Sequence, residues 1–214
     1  MMKIFKKIHE PSSSISDFIL SIFCFYWFYD LIKVFLLYDS NTHLLSSIIF
    51  LFIGISAMLG SFFHMFAKMI SNKLIGFNFK IAVFTIGLIL LLFSFIYINL
   101  LINNNSKFIL ITIFSFFVII FYYNYLVKNF KKYTLVLLPI ALFISFGVYF
   151  QLINNYPGSK EILIGFLIIL FGLIIWKKGL SINKNFNKND IFHYVSIFGL
   201  WYLYQGFKLF IFFK

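Results

Sequence analysis

Apolar stretches of about 20 residues alternate along the chain with short polar segments. The strands of a membrane β-barrel would show alternating polarity over about ten residues. The stretches here are continuously apolar, and a helix needs about 20 such residues to cross a bilayer. The polar segments are rich in Asn, Ser, Gly and Pro, which favour turns. The pattern predicts an all-α fold, a bundle of seven transmembrane helices. The predicted spans are Ile15–Tyr38, Leu44–Met69, Phe79–Ile102, Phe108–Val127, Tyr133–Leu152, Ile162–Leu180 and Ile191–Phe213.

These spans fill most of the 214 residues, so the connections between them are short. We therefore expect a single domain, residues 1–214. The composition agrees, because 62% of the residues are hydrophobic and 11% are charged, whereas soluble domains contain about 25% charged residues. The chain is predicted to be an integral membrane protein with membrane lipid as its expected partner. The sequence does not fix an oligomeric state.

The lysines predict the orientation. The formal net charge is +12, and most of the lysines fall on one side when successive loops are assigned to alternate sides of the membrane. By the positive-inside rule the N-terminus is then cytoplasmic and the C-terminus outside. Such topology determinants explain the charge without nucleic acid, which we do not expect as a partner. A bacterial inner membrane is the simplest expected location.

Several ionisable residues lie within the predicted spans, where each costs a few kcal/mol and suggests a function. Asp17 lies near the start of the first span, His64 near the end of the second and His193 near the start of the seventh. Because neighbouring spans run in opposite directions, these positions fall in one layer near the cytosolic face. Ser61 and Asp190 each lie three residues before one of the two histidines.

Two interpretations of this layer stay open. Imidazoles and a carboxylate are common zinc ligands, so His64 and His193 are candidate metal ligands, with Asp17 or Asp190 as third ligand or base. Ser61 would support a metal-bound water, which could attack an ester or amide carbonyl. In the alternative, the same side chains only form hydrogen bonds between helices or cap helix ends.

A second polar group is expected nearer the outer leaflet. Asp30 and Lys33 lie on the first span, and Gln205 and Lys208 on the seventh. If these spans are neighbours, Asp30 and Lys208 would form an ion pair, either a structural tie or part of an ion or substrate pathway. His9 and His43 are expected to face solvent.

The segment "GSFFHM", from Gly60 to Met65, and the histidine at the start of the seventh span resemble the superfamily of alkaline ceramidases, progestin/adipoQ receptors and hemolysin-III-like proteins (CREST). This resemblance implies a seven-helix, zinc-dependent lipid amide hydrolase. Ser61, His64 and His193 would match the family's serine and two of its histidines. The second histidine of the seventh helix falls at Ile197, which cannot bind zinc, and the aspartate early in the third span is missing. The implied zinc site is incomplete.

The last predicted span, within "NDIFHYVSIFGLWYLYQG", is also similar to that of uncharacterised bacterial seven-helix proteins. That resemblance implies no activity. Because the ligand set is incomplete, the sequence favours a non-catalytic lipid- or ligand-binding bundle or a subunit of a complex. The alternative is a metal-dependent hydrolase of a membrane lipid amide or ester.

Overall fold

The computed structural model describes residues 10–102, 104–126, 138–183 and 186–212. Over these residues the fold is all-α, as predicted. Parts of the predicted fourth, fifth and seventh spans (residue 127, residues 133–137 and residue 213) lie outside the described residues. The helices are α1 (Pro11–Tyr38), α2 (Asn41–Phe66), α3 (Asn72–Leu101), α4 (Asn104–Leu126), α5 (Leu138–Ile153), α6 (Ser159–Lys178) and α7 (Lys188–Lys208), followed by a 3₁₀ turn (Leu209–Phe212).

Four helices are long and apolar enough to cross a membrane, namely α1, α2, α3 and α6. They indicate a membrane protein. Two shorter apolar helices, Ile109–Tyr123 and Pro139–Ile153, lie within α4 and α5. The seventh helix, α7, is not among the four, and its 21 residues include Asp190, His193 and Lys208. The seven-span arrangement and its orientation stay predictions.

Helix ends coincide with the polar breaks of the sequence. The α1 helix ends at Asp39, which adopts a left-handed conformation (φ 48°) and donates its backbone N–H to the Phe35 carbonyl over 2.8 Å. Gly179 ends α6 in the same conformation, with φ 71°. Ser71 begins α3 as an N-cap whose side chain accepts from the Leu74 N–H. Local turn chemistry therefore sets where these helices begin and end.

Small residues bring α6 and α7 close together. A Cβ atom added to Gly165 would lie 2.7 Å from the Gly199 carbonyl oxygen, and one added to Gly199 would lie 2.6 Å from Ile169 Cγ1. Backbones can approach this closely only where no side chain intervenes, which is the packing that small residues permit between membrane helices. The position of α7 is thereby fixed against α6.

An aromatic cluster joins α7 to α1 and α2. The Trp27 ring stacks on Tyr204 at 5.8 Å and meets the edge of Phe50 at 5.5 Å, and Phe50 also meets Phe207 at 6.3 Å. Trp27, Phe50 and Phe207 are almost fully buried. Since α1 also packs along α2, these contacts place the starts of α1 and α7 beside the end of α2.

Replacing Gly199 with alanine should destabilise the protein, because the new methyl group would collide with Ile169 and with the α6 backbone. We expect a loss of about 1–3 kcal/mol in the free energy of unfolding. The measurement is reversible unfolding in detergent micelles. Gly76→Ala is the matched control, since a Cβ atom there meets nothing within 4 Å. Equal stability of the two variants would contradict the close α6–α7 approach.

Candidate functional site

The start of α1, the end of α2 and the start of α7 meet at one end of the bundle and bring a group of polar side chains together there. We call this group the polar cluster; its members are Glu10, Ser12, Ser13, Ser14, Ser16, Asp17, Ser61, His64, Asn187, Asp190 and His193. Three serines in the first two turns of α1 are buried, although serine side chains near a helix start often face solvent. They are Ser13, Ser14 and Ser16. They point between helices because their hydroxyl groups find partners there.

Asp17 lies at the centre of the polar cluster, only 5% exposed. One carboxylate oxygen, Oδ1, is 3.2 Å from Nε2 of His193, and the other, Oδ2, is 3.8 Å from Nε2 of His64. The two histidines and the aspartate that the sequence placed in one layer are thus brought together. One carboxylate therefore contacts both rings.

The second nitrogen of each imidazole is also engaged. Nδ1 of His64 is 2.8 Å from Oε2 of Glu10, and Nδ1 of His193 is 2.9 Å from the Ser16 hydroxyl. The Glu10 backbone N–H also donates to the His64 carbonyl over 3.2 Å. Glu10 and Ser16 therefore hold the two rings so that both Nε2 atoms face Asp17. Sequence reasoning did not identify either residue as part of the site.

Ser61 lies beside the central carboxylate and connects α1 to α2. The Ser14 hydroxyl donates to the Ser61 carbonyl over 2.9 Å and lies 3.3 Å from the Ser61 hydroxyl. Gly60 next to it leaves the space that Asp17 uses, because a Cβ atom there would lie 2.6 Å from Asp17 Oδ2. The end of α2 is therefore shaped around the α1 carboxylate.

Asp190, fully buried, caps α7 instead of facing the imidazoles. Its carboxylate accepts hydrogen bonds from the hydroxyl groups of Ser12 and Ser13, both at 2.8 Å, and from the Asn187 N–H at 2.6 Å. The Asn187 side chain completes a reciprocal capping box. Of the two aspartates expected as third ligand or base, the one that faces the histidines is Asp17.

The donor set of the polar cluster was compared with what a zinc ion needs. Two imidazole nitrogens and a carboxylate are suitable ligand types. In the described part of the chain, however, no group of three or more His, Cys, Asp and Glu side chains is arranged so that it could hold a metal ion. The ligand types therefore suit zinc, but their arrangement among the described residues does not.

The predicted pair of Asp30 and Lys208 is present at the other end of α1 and α7. Lys208 Nζ is 2.8 Å from Asp30 Oδ2, and the Tyr204 hydroxyl donates to the same oxygen over 2.6 Å. Lys33 does not join this pair and lies over the Tyr29 ring, 4.2 Å from its centroid. The ion pair therefore joins α1 and α7 next to the aromatic cluster, because Tyr204 contacts both Asp30 and Trp27.

His43 was expected to face solvent, and that expectation is wrong. The residue is fully buried in the first turn of α2, against the backbone of Phe207 and Lys208. The end of α7 covers it, which a count along α2 alone does not reveal. His9 lies outside the described residues.

A cavity of about 200 Å³ opens between α2, α3 and α4 at the end of α2 opposite the polar cluster. Its walls are mostly apolar, with two carboxamide side chains among them. The lining residues are Asn41, Leu44, Leu45, Phe95, Asn99 and Ile111. The cavity and the polar cluster are therefore separate features of the bundle.

Comparisons with known proteins give a family and no activity. No curated protein and no solved structure matches this chain. One family model matches residues 12–210, which include every helix described above except the first residue of α1. The chain thus belongs to a family of unknown function, DUF6962.

Proposed function

We propose that this protein is a non-catalytic helical membrane protein, a lipid- or ligand-binding bundle or the membrane subunit of a complex. In this proposal the polar cluster ties α1, α2 and α7 together. The observation that carries it is the Asp17 carboxylate, whose two oxygens contact the imidazoles of two other helices at 3.2 and 3.8 Å.

The energetics of burial support a structural tie. Removing a carboxylate from water costs several kcal/mol, and only good partners offset that cost. Asp17 has one imidazole on each side, at 3.2 and 3.8 Å, and those rings are held in turn by Glu10 and Ser16. These contacts connect three helices and so oppose their separation.

The cavity at the opposite end of α2 supports the binding branch of this proposal. Apolar walls with a few polar groups are typical of ligand sites, and here Asn41 and Asn99 supply two carboxamides. A volume of about 200 Å³ is below the about 300–1,000 Å³ of drug-sized sites. The end of a lipid acyl chain that carries an uncharged polar group fits these dimensions. The polar group would lie at the two carboxamides.

Metal analysis of the detergent-purified protein is the experiment that tests the proposal. We expect zinc and other divalent metals well below one ion per chain, because among the described residues no group of three or more His, Cys, Asp and Glu side chains is arranged to hold an ion. Near-stoichiometric zinc in the wild type that is lost in both His64→Ala and His193→Ala would overturn the proposal. His43→Ala is the matched control, since it removes a buried imidazole far from the polar cluster.

A double-mutant cycle tests the tie directly. His193→Leu should cost about 3–5 kcal/mol in the free energy of unfolding, because it leaves a buried carboxylate poorly paired. Adding Asp17→Leu should recover part of that loss, with a coupling energy of about 0.5–3 kcal/mol. The same cycle with His43→Leu in place of His193→Leu should be additive. Additivity at His193 would contradict the tie.

A second candidate is a CREST-like, metal-dependent hydrolase of a membrane lipid amide or ester. It is favoured by one observation, that both Nε2 atoms face one carboxylate while Glu10 and Ser16 hold the Nδ1 atoms. Metal-bound histidines have their second ring nitrogen fixed in the same way. Ile197, where the family's further histidine is expected, argues against it. Zinc in the analysis above, with fatty acid released from ceramide or ester micelles, would establish this candidate.

Seven spans with a cytoplasmic N-terminus, in a bacterial inner membrane, complete the proposal. Single cysteines introduced into a Cys24→Ala background test the orientation by labelling with a membrane-impermeant maleimide. We expect Asn154→Cys to react in intact cells and Ser181→Cys only after permeabilisation, because the two residues flank opposite ends of α6 and both are exposed. The reverse pattern would overturn the orientation.

A further inference from the structure

The connection between α6 and α7 exposes apolar side chains outside the helices. Leu180 is 53% exposed and Ile182 is 72% exposed, directly after Gly179 ends α6. Trp176, in the last turn of α6, is also exposed. Tryptophan is enriched at the boundary between the hydrocarbon and the headgroups of a membrane. If α6 crosses a bilayer, all three side chains lie at that boundary.

Three lysines surround these apolar side chains. Lys177 and Lys178 end α6, and Lys188 begins α7. All three are exposed, and none forms an ion pair with a carboxylate in the part of the chain that the structure describes. Asp190, the carboxylate nearest to Lys188 in sequence, is buried and bonded to Ser12 and Ser13. Among the described residues, this positive charge therefore has no carboxylate partner.

The indole and Lys188 are held together across the two helices. The Trp176 Nε1 donates to the Asn189 side chain over 2.9 Å, and Lys188 Nζ is 5.4 Å from the Trp176 ring centroid. On the α7 side, Phe186 stacks on Tyr194 at 5.8 Å. The end of the α6–α7 hairpin thus has a built surface in which basic, aromatic and apolar groups alternate.

We propose that this hairpin end binds the phosphate-bearing headgroups of anionic phospholipids. The lysines would contact phosphate oxygens while Leu180 and Ile182 enter the adjoining acyl region, a combination typical of membrane-surface recognition. The inference rests on the proposed membrane embedding of α6, and not on whether the polar cluster is a tie or a metal site. Because Asn189 is bonded to the Asn187 cap of α7, lipid bound here would also stabilise the start of α7.

The test compares the full-length protein in nanodiscs of phosphatidylcholine with nanodiscs of equimolar phosphatidylcholine and phosphatidylglycerol. We expect a higher unfolding temperature in the anionic nanodiscs, and a shift that shrinks as salt screens the charges. The triple variant Lys177→Gln, Lys178→Gln, Lys188→Gln should lose most of that shift. It should also retain less phosphatidylglycerol relative to phosphatidylcholine in native mass spectrometry.

The matched control is the triple variant Lys33→Gln, Lys107→Gln, Lys160→Gln, which removes the same charge near the opposite ends of the helices. It should keep the wild-type shift. The triple variant Lys177→Arg, Lys178→Arg, Lys188→Arg should keep it too, which separates loss of charge from misfolding. Equal loss in both glutamine variants, or no shift in the wild type, would overturn the proposal. Neither result bears on the metal analysis or the His193–Asp17 cycle.

Discussion

One buried carboxylate constrains how three helices of this protein come together. Asp17 is almost removed from solvent one and a half turns into α1, where an unpaired charge would cost several kcal/mol. Its two oxygens meet groups from two other helices, the imidazoles of α2 and α7. The start of α1 must therefore lie between the end of α2 and the start of α7, whatever the activity of the protein.

The surrounding residues make that arrangement possible by being small or by carrying short hydroxyl groups. Gly60 leaves room for the carboxylate, and Ser14 and Ser16 satisfy neighbouring groups without adding bulk. On the far side of α7, Gly165 and Gly199 let the α6 backbone approach closely. Small residues thus permit both the polar contacts around Asp17 and the close packing of α6 against α7.

Much of this could be predicted from the sequence, because it depends on local rules. Apolar run length gives the helices, turn residues give their ends, and counting depth along antiparallel spans brings His64 and His193 to the level of Asp17. The same counting finds the Asp30–Lys208 pair. The contacts of Glu10 and Ser16 could not be predicted, since they depend on how each imidazole is rotated. The burial of His43 depends on where the distant end of α7 folds back, which no local pattern encodes.

Two of the polar contacts between α1 and α7 lie far apart along the helices, and this spacing has a mechanical consequence. Asp17 meets His193 at one level, and Asp30 meets Lys208 at another, about 20 Å further along α1 at 1.5 Å per residue. Two anchors that far apart prevent either helix from sliding past its neighbour or turning about its own axis.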